Sequence, residues 1–320
     1  MKTMIFVLLL TLALSACAPA VAIAPAAKPG LPAVAQAPTA KSVLPPAPTA
    51  VMPTVAPAAA DTATPQTDTA ALPTGPAITP WSLVAVGDSV AYNSPDDCRG
   101  CTSFVDRYAA AITQATGHPV EAQNLSQHNG LQTDGLLEEL KTDVKRREAL
   151  ANADIIVVVI GFNDHAYSDN LDDPCDGPTG AIPDWTKFNA TCAAAAAEML
   201  RPKLESVFAQ IVALRAGKPT IFRTINHYND WIGTKNDDGS DLPPEATNAS
   251  RAVLDTWNAM YCKAAQENGF TCADIYRAFN GPDGLTPSGD LFSPNYHPSD
   301  KGNEVIAGVL ADLGYAPLVP

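Results

Sequence analysis

Short apolar runs alternate with longer segments of helical period along the last three quarters of this chain. Leu83-Val84-Ala85-Val86 runs straight into Gly87-Asp88-Ser89, and strand-like runs recur at Val120–Asn124, 155–160, 220–224 and 270–275. A compact apolar run ending in a turn is how a strand buried on both faces of a parallel sheet reads. Between these runs, 103–116, 133–150, 193–216 and 246–268 carry apolar residues at helical spacing, and 299–313 makes a last helix. Gly117, Gly217 and Gly269 mark stops, and Ser299-Asp300 suits a helix opening. Strand alternating with helix predicts a three-layer α/β/α sandwich around a parallel sheet of about five strands.

The pattern before residue 81 is different. Met1-Lys2-Thr3-Met4 precedes a compact apolar run, too short to span a membrane and laid out as a secretory leader. Its end, Leu14-Ser15-Ala16-Cys17, resembles the lipobox of bacterial lipoproteins. That resemblance implies a leader of residues 1–16, acylation of Cys17 and an exported, lipid-anchored chain facing the extracytoplasmic side. Residues 17–80 are rich in Ala, Pro and Thr and hold about half of the 29 prolines. Such a segment buries too little surface to offset its ordering entropy, so it reads as a disordered tether. Residues 81–320 then form one catalytic domain, expected to act as a monomer.

Charge narrows the partners. From Trp81 onward 17 basic residues face 32 acidic ones, which argues against binding nucleic acid through its phosphates. Six cysteines follow Cys17, an even number that suits disulfides in an exported chain. The local pairs Cys98–Cys101, Cys175–Cys192 and Cys262–Cys272 are the expected ones. Cys98-Arg99-Gly100-Cys101 lacks the second Cys or His pair of a zinc site, so no metal is expected there.

The chemistry centres on Ser89, which sits past a buried strand where the ligands of a parallel sheet gather. A serine hydroxyl needs a base to take its proton and donors aimed at the oxyanion. Other strand ends and the last loop offer these groups: Asn124 to Gly130, Gly161-Phe162-Asn163-Asp164, and Ser293-Pro294-Asn295-Tyr296-His297-Pro298 before the last helix.

These four blocks, in this order, resemble the SGNH (GDSL-type) hydrolase family, which implies a flavodoxin-like sheet and a carboxylic-ester hydrolase with no metal and no organic cofactor. The resemblance spans Leu83 to Ala311. It makes Ser89 the nucleophile and His297 the general base. Ser89, Gly130 and Asn163 become the oxyanion donors. Two departures stand out. Gly130 falls six residues after Asn124, one more than the family spacing, and the position three before His297, where the family carries Asp, is Pro294. Asp290, Asn295 or a backbone carbonyl is left to orient His297, as a triad with Asp290 or as a Ser-His dyad.

The bland readings differ in weight. Ser89 is a possible helix N-cap, and Asp88 reads as a turn residue that accepts backbone N–H bonds. His118, His128 and His227 read as surface groups, and His165 as a candidate pocket residue. The acidic cluster Asp169-Asn170-Leu171-Asp172-Asp173 reads as a solvated insertion. The expected function is a membrane-tethered serine esterase acting on small-molecule or polysaccharide esters through an acyl-enzyme. The alternatives are an acyltransferase or deacetylase on envelope or extracellular polysaccharide, and an inactive binding lipoprotein. Trp185, Tyr228 and Trp231 lie in insertions where they suit either sugar stacking or local packing.

Overall fold

The computed structural model describes residues 78–164, 175, 185–235 and 240–318. The leader, Cys17, nearly all of the tether, His165 and the acidic cluster at 169–173 lie outside the described residues. The chain separates into one unit of Met1–Thr69 and a second of Ala70–Pro320, and every element below belongs to the second.

Five parallel strands form one sheet in the order β2-β1-β3-β4-β5. They are β1 (Trp81–Gly87), β2 (Val120–Asn124), β3 (Ile155–Val159), β4 (Ile221–Ile225) and β5 (Thr271–Ala273). The chain moves outward from β1 in one direction to β2, then crosses over to β3 and continues to β5. The direction reverses between β1 and β3, the place at the carboxyl edge where an open α/β sheet takes its ligands. β1 lies between β2 and β3, with Leu83 opposite Ile155 and Gly87 opposite Val159. β2, at the edge of the sheet, tolerates polar residues and is largely exposed.

The strand residues sort to two cores by their period of two. Val84, Val86, Ile156 and Val158 pack with α3 (Thr133–Thr142), α4 (Val144–Asn152), α5 (Ala190–Leu214) and α6 (Pro244–Glu267). Leu83, Ala85, Ile155, Val157 and Val159 pack on the other face with α1 (Ser89–Tyr92), α2 (Phe104–Thr116), α7 (Ile275–Asn280) and α8 (Asp300–Asp312). β3 is buried throughout, which is why it reads as an unbroken apolar run.

Three element boundaries depart from the sequence expectation. The helix predicted over 133–150 is two, because Asp143 ends α3 and its carboxylate accepts from Arg146 N–H to cap α4. The run predicted as strand to 275 stops at Ala273, and Asp274 caps the short α7 by accepting from Arg277 N–H. α1 is a single turn that apolar period does not announce. Cys98–Cys101, Cys175–Cys192 and Cys262–Cys272 stand as disulfides, their Cα atoms 5.6, 5.0 and 5.3 Å apart.

Candidate active site

The site is built on the turn after β1. Gly87 has φ +141°, and a Cβ there would overlap the carbonyl of Val159 on the neighbouring strand. Only glycine lets β1 run this close to β3 before turning. The next residue, Asp88, is fully buried. Its carboxylate accepts from Val90 N–H at 3.1 Å and from Phe162 N–H at 3.3 Å. Burial pushes its carboxyl up to about 8, against those hydrogen bonds, which pull the other way. Asp88 is thus the N-cap of α1 and also staples the β1 turn to the β3 loop. Because Asp88 does the capping, Ser89 opens α1 without spending its hydroxyl on the helix. Its side of the turn is half-buried.

The loop after β2 is stitched to the same edge. Gln127 N–H donates to the Gly87 carbonyl at 2.9 Å, and Asn124 Nδ2 donates to the Ala91 carbonyl at 2.6 Å. Gly130 follows at φ +71°, in a conformation that leaves space around its Cα. Asn163 Nδ2 donates to the Leu131 carbonyl at 3.0 Å, and Gln132 Nε2 donates back to the Asn163 carbonyl at 2.9 Å. Asp164 accepts from both Thr133 N–H and Oγ1, at 2.8 and 3.0 Å. Its carboxyl is held up, chiefly by burial. The segments carrying Gly130 and Asn163 are therefore zipped together. An amide nitrogen has two protons, so Asn163 keeps one for a ligand while the other holds Leu131.

His297 arrives from the far end of the chain. Asn303 on α8 is buried, and its Nδ2 lies within 3.1 Å of Asn93 Oδ1 at the end of α1 and 3.2 Å of the Pro298 carbonyl. Its Oδ1 accepts from Phe104 N–H at the start of α2, at 2.8 Å. One side chain thus joins the last loop to the elements that follow Ser89. Tyr228 Oη adds a bond to the Tyr296 carbonyl at 3.2 Å.

His297 Nδ1 lies 2.9 Å from the Asn295 carbonyl. A carbonyl only accepts, so Nδ1 carries the proton and Nε2 keeps its lone pair. This is the backbone-carbonyl option among those left open by the sequence. The Asp290 option is not supported: its carboxylate pairs with Lys301 Nζ at 2.8 and 3.1 Å, and that pairing holds its pKa down. Lys301 is the second residue of α8 and engages this carboxylate at the surface.

The acid near His297 is Asp97, which the sequence reading missed. Its Oδ2 lies 3.5 Å from His297 Nδ1 and 2.8 Å from His128 Nε2. Its side chain is only 6% exposed, although the residue sits on the loop between α1 and α2. That loop is closed by the Cys98–Cys101 disulfide, and Asn295 Nδ2 donates to Asp97 Oδ1 at 3.3 Å. Nothing local in Ser94-Pro95-Asp96-Asp97-Cys98 signals this role, because the partner lies 200 residues on.

His227 corrects the sequence reading, and His128 adds to it. His128 is exposed as expected, but it leans on Asp97 and its ring is 5.7 Å from that of His297. His227 is fully buried rather than at the surface. It stacks on Phe162, and Trp257 Nε1 donates to its Nδ1 at 3.1 Å, which makes it a neutral core group. Trp185 and Trp231 meet edge to face at 5.1 Å, and Tyr228 packs on Phe279 and Phe292, so these rings pack locally.

The model of the GDSL-like lipase/acylhydrolase family matches residues 85–305. No curated protein matches the sequence. Among solved structures, the lipase Lip_vut3 from a goat rumen metagenome superposes with a TM-score of 0.55 at 16% identity, covering 74% of this chain and 99% of its own. An extracellular lipase from Streptomyces rimosus superposes with a TM-score of 0.51 at 20% identity, covering 72% and 99%. At these identities the two structures bear on the fold, and the α/β sheet is theirs as well.

Proposed function

Because the chain belongs to the GDSL-like lipase/acylhydrolase family, we propose that it is a carboxylic-ester hydrolase working through an acyl-enzyme on Ser89. The observation that carries this reading is the bond from His297 Nδ1 to the Asn295 carbonyl. It leaves the Nε2 lone pair free to act as a base, in a loop that Asn303 ties to the end of α1.

In the first half-reaction the Ser89 oxygen bonds to the ester carbonyl carbon while its proton passes to His297 Nε2. The carbonyl electron pair moves onto oxygen, where the N–H groups of Ser89 and Gly130 and the side-chain amide of Asn163 receive it. Collapse breaks the bond to the leaving alcohol, which takes the proton from His297. Water then repeats the sequence on the acyl-enzyme and releases the acid. While His297 is protonated, the Asn295 carbonyl and the Asp97 carboxylate both face its Nδ1 side, at 2.9 and 3.5 Å. The negative charge of Asp97 stabilises the imidazolium that forms.

The substrate class in this reading is a small acyl or acetyl ester, free or carried on a polysaccharide. The lipobox-like Leu14-Ser15-Ala16-Cys17 supports an exported enzyme held to the envelope by acylated Cys17, on a tether of Ala, Pro and Thr. The proposed anchor rests on that lipobox-like motif; among the described residues no helix is long and apolar enough to cross a membrane.

The purified protein is expected to hydrolyse p-nitrophenyl acetate and butyrate, and Ser89→Ala to lose that turnover. A folded wild-type protein that neither turns these esters over nor is labelled at Ser89 by a serine-reactive phosphonate overturns the reading. Acyl mass at Cys17 in protein isolated from membranes tests the anchor.

A further inference from the structure

We infer that Asp97, His128 and His297 form a binding site for a divalent transition cation of the zinc class, and that occupancy switches off the base at His297. The three side chains come from three separate loops, yet one ligand atom of each lies within 4.8 Å of the other two. Asp97 Oδ2 is 2.8 Å from His128 Nε2 and 3.5 Å from His297 Nδ1. Bonds of about 2.0–2.2 Å to a tetrahedral zinc ion would set such atoms roughly 3.4 Å apart, so small side-chain rotations are enough.

A second observation points the same way. Asp97 Oδ2 is buried and has no hydrogen-bond donor among the described groups, although His128 Nε2 is in contact with it. The ring nitrogen thus lies off the direction in which it would donate. A buried carboxylate oxygen without a donor is costly, and a cation between it and the imidazoles supplies what it lacks. The other oxygen, Oδ1, is held by Asn295 Nδ2 at 3.3 Å, the outer support a ligating carboxylate uses. Two imidazoles and one carboxylate select zinc-class ions over magnesium or calcium, which prefer oxygen sets. His128 is exposed, which leaves the fourth position to water.

The consequence for the reaction rests on the esterase reading above. A neutral imidazole that ligates through Nδ1 carries its proton on Nε2. His297 now holds that proton on Nδ1, against the Asn295 carbonyl. Binding the cation breaks this bond and moves the proton to Nε2 by way of solvent, with no net change in charge on the ring. Nε2 then has no lone pair with which to deprotonate Ser89.

The test uses the full chain, stripped with EDTA and desalted. Titration with Zn²⁺ by calorimetry is expected to show one equivalent bound and none with Mg²⁺. His128→Ala and Asp97→Asn should each weaken that binding at least about tenfold. Ser89→Ala, which keeps all three ligands, should bind as wild type. His128 is exposed, so its truncation should leave the thermal midpoint in place, and His128→Asn serves as a second variant. Turnover of p-nitrophenyl acetate, measured against each protein's own metal-free rate, should fall below a tenth with Zn²⁺ and return with EDTA. Half-inhibition should track the Kd of each variant.

Zn²⁺ binding that is absent, or undiminished in both variants, overturns the site. Binding that leaves wild-type turnover intact overturns the switch. A folded, metal-free wild type with neither turnover nor phosphonate labelling at Ser89 overturns the esterase reading alone, and the calorimetry still decides the metal site.

Discussion

Nδ1 of His297 lies 2.9 Å from the carbonyl oxygen of Asn295, two residues earlier in the same loop. A main-chain acceptor cannot be removed by changing a side chain, so the orientation of the ring is written into the loop conformation. The carboxylate of Asp97, 3.5 Å from the same nitrogen, adds charge rather than direction. Asp97→Asn should therefore cut kcat by about 10- to 100-fold, well short of the roughly 10⁴-fold loss where a carboxylate is the sole orienting group. Asp290→Asn should leave kcat/KM within about twofold, since that carboxylate serves Lys301 at the surface. Steady-state rates on one ester, measured for both variants, separate the two acids.

Asn163 donates one amide proton to the Leu131 carbonyl, which leaves the other for the proposed oxyanion. Asn163→Ala should lower kcat by about 10²- to 10³-fold with a small change in KM, as expected for a donor used most strongly in the transition state. A fall in kcat of less than threefold would remove Asn163 from the reaction.

Gly87 is a steric requirement. A Cβ there falls within the Val159 carbonyl of the adjacent strand, at a φ of +141° that other residues rarely adopt. Gly87→Ala should cost about 4 kcal/mol or more and show as lost soluble yield or a collapsed thermal midpoint. Gly130→Ala meets no neighbour, so its cost should stay near the roughly 1 kcal/mol of the strained backbone, with any larger effect falling on kcat.

Asn303 couples stability to activity. Its amide joins Asn93, Pro298 and Ser299, and its carbonyl oxygen takes the Phe104 N–H. Asn303→Ala should destabilise by about 2–4 kcal/mol, because it leaves several buried groups without partners. The same change frees the His297 loop from α1, so kcat should drop at temperatures where the variant is still folded. Chemical denaturation and rates at 15 °C report the two effects separately.

Asp88 makes stability depend on pH. Its folded pKa, about 8, lies above the ordinary carboxylate value because burial disfavours the charge. The folded state therefore holds a proton that the unfolded state has released. Stability should fall as pH rises from about 4 to about 8, by at most about 1.4 kcal/mol per unit, and level off above that. Asp88→Asn keeps an acceptor for Val90 N–H and carries no charge. Urea denaturation from pH 5 to 8.5 should show the variant without this slope; parallel profiles would falsify the assignment.

Much of the architecture follows from local pattern. The apolar runs at 83–86 and 155–160 are long enough to be strands and apolar on both faces, so burial in a parallel sheet is legible in the sequence alone. The helix at 246–268 and the last helix were legible for the same reason, since one face of each is continuously apolar. The break at Asp143 and the short α7 were not, because a single capping carboxylate decided each. The residues of the proposed site, Ser89, Gly130, Asn163 and His297, are legible as four blocks in order, each after a strand or before a helix.

What the sequence by itself determined, then, is the sheet, its two helical layers and the positions from which a serine and a histidine project. Only the tertiary structure decided what surrounds the histidine. Its main-chain acceptor depends on the turn at Asn295, its acid comes from Asp97 across 200 residues, and its second imidazole neighbour is His128 from the β2 loop. Local period records which face a residue turns to the core, and these contacts lie between loops on the rim, where no period reaches.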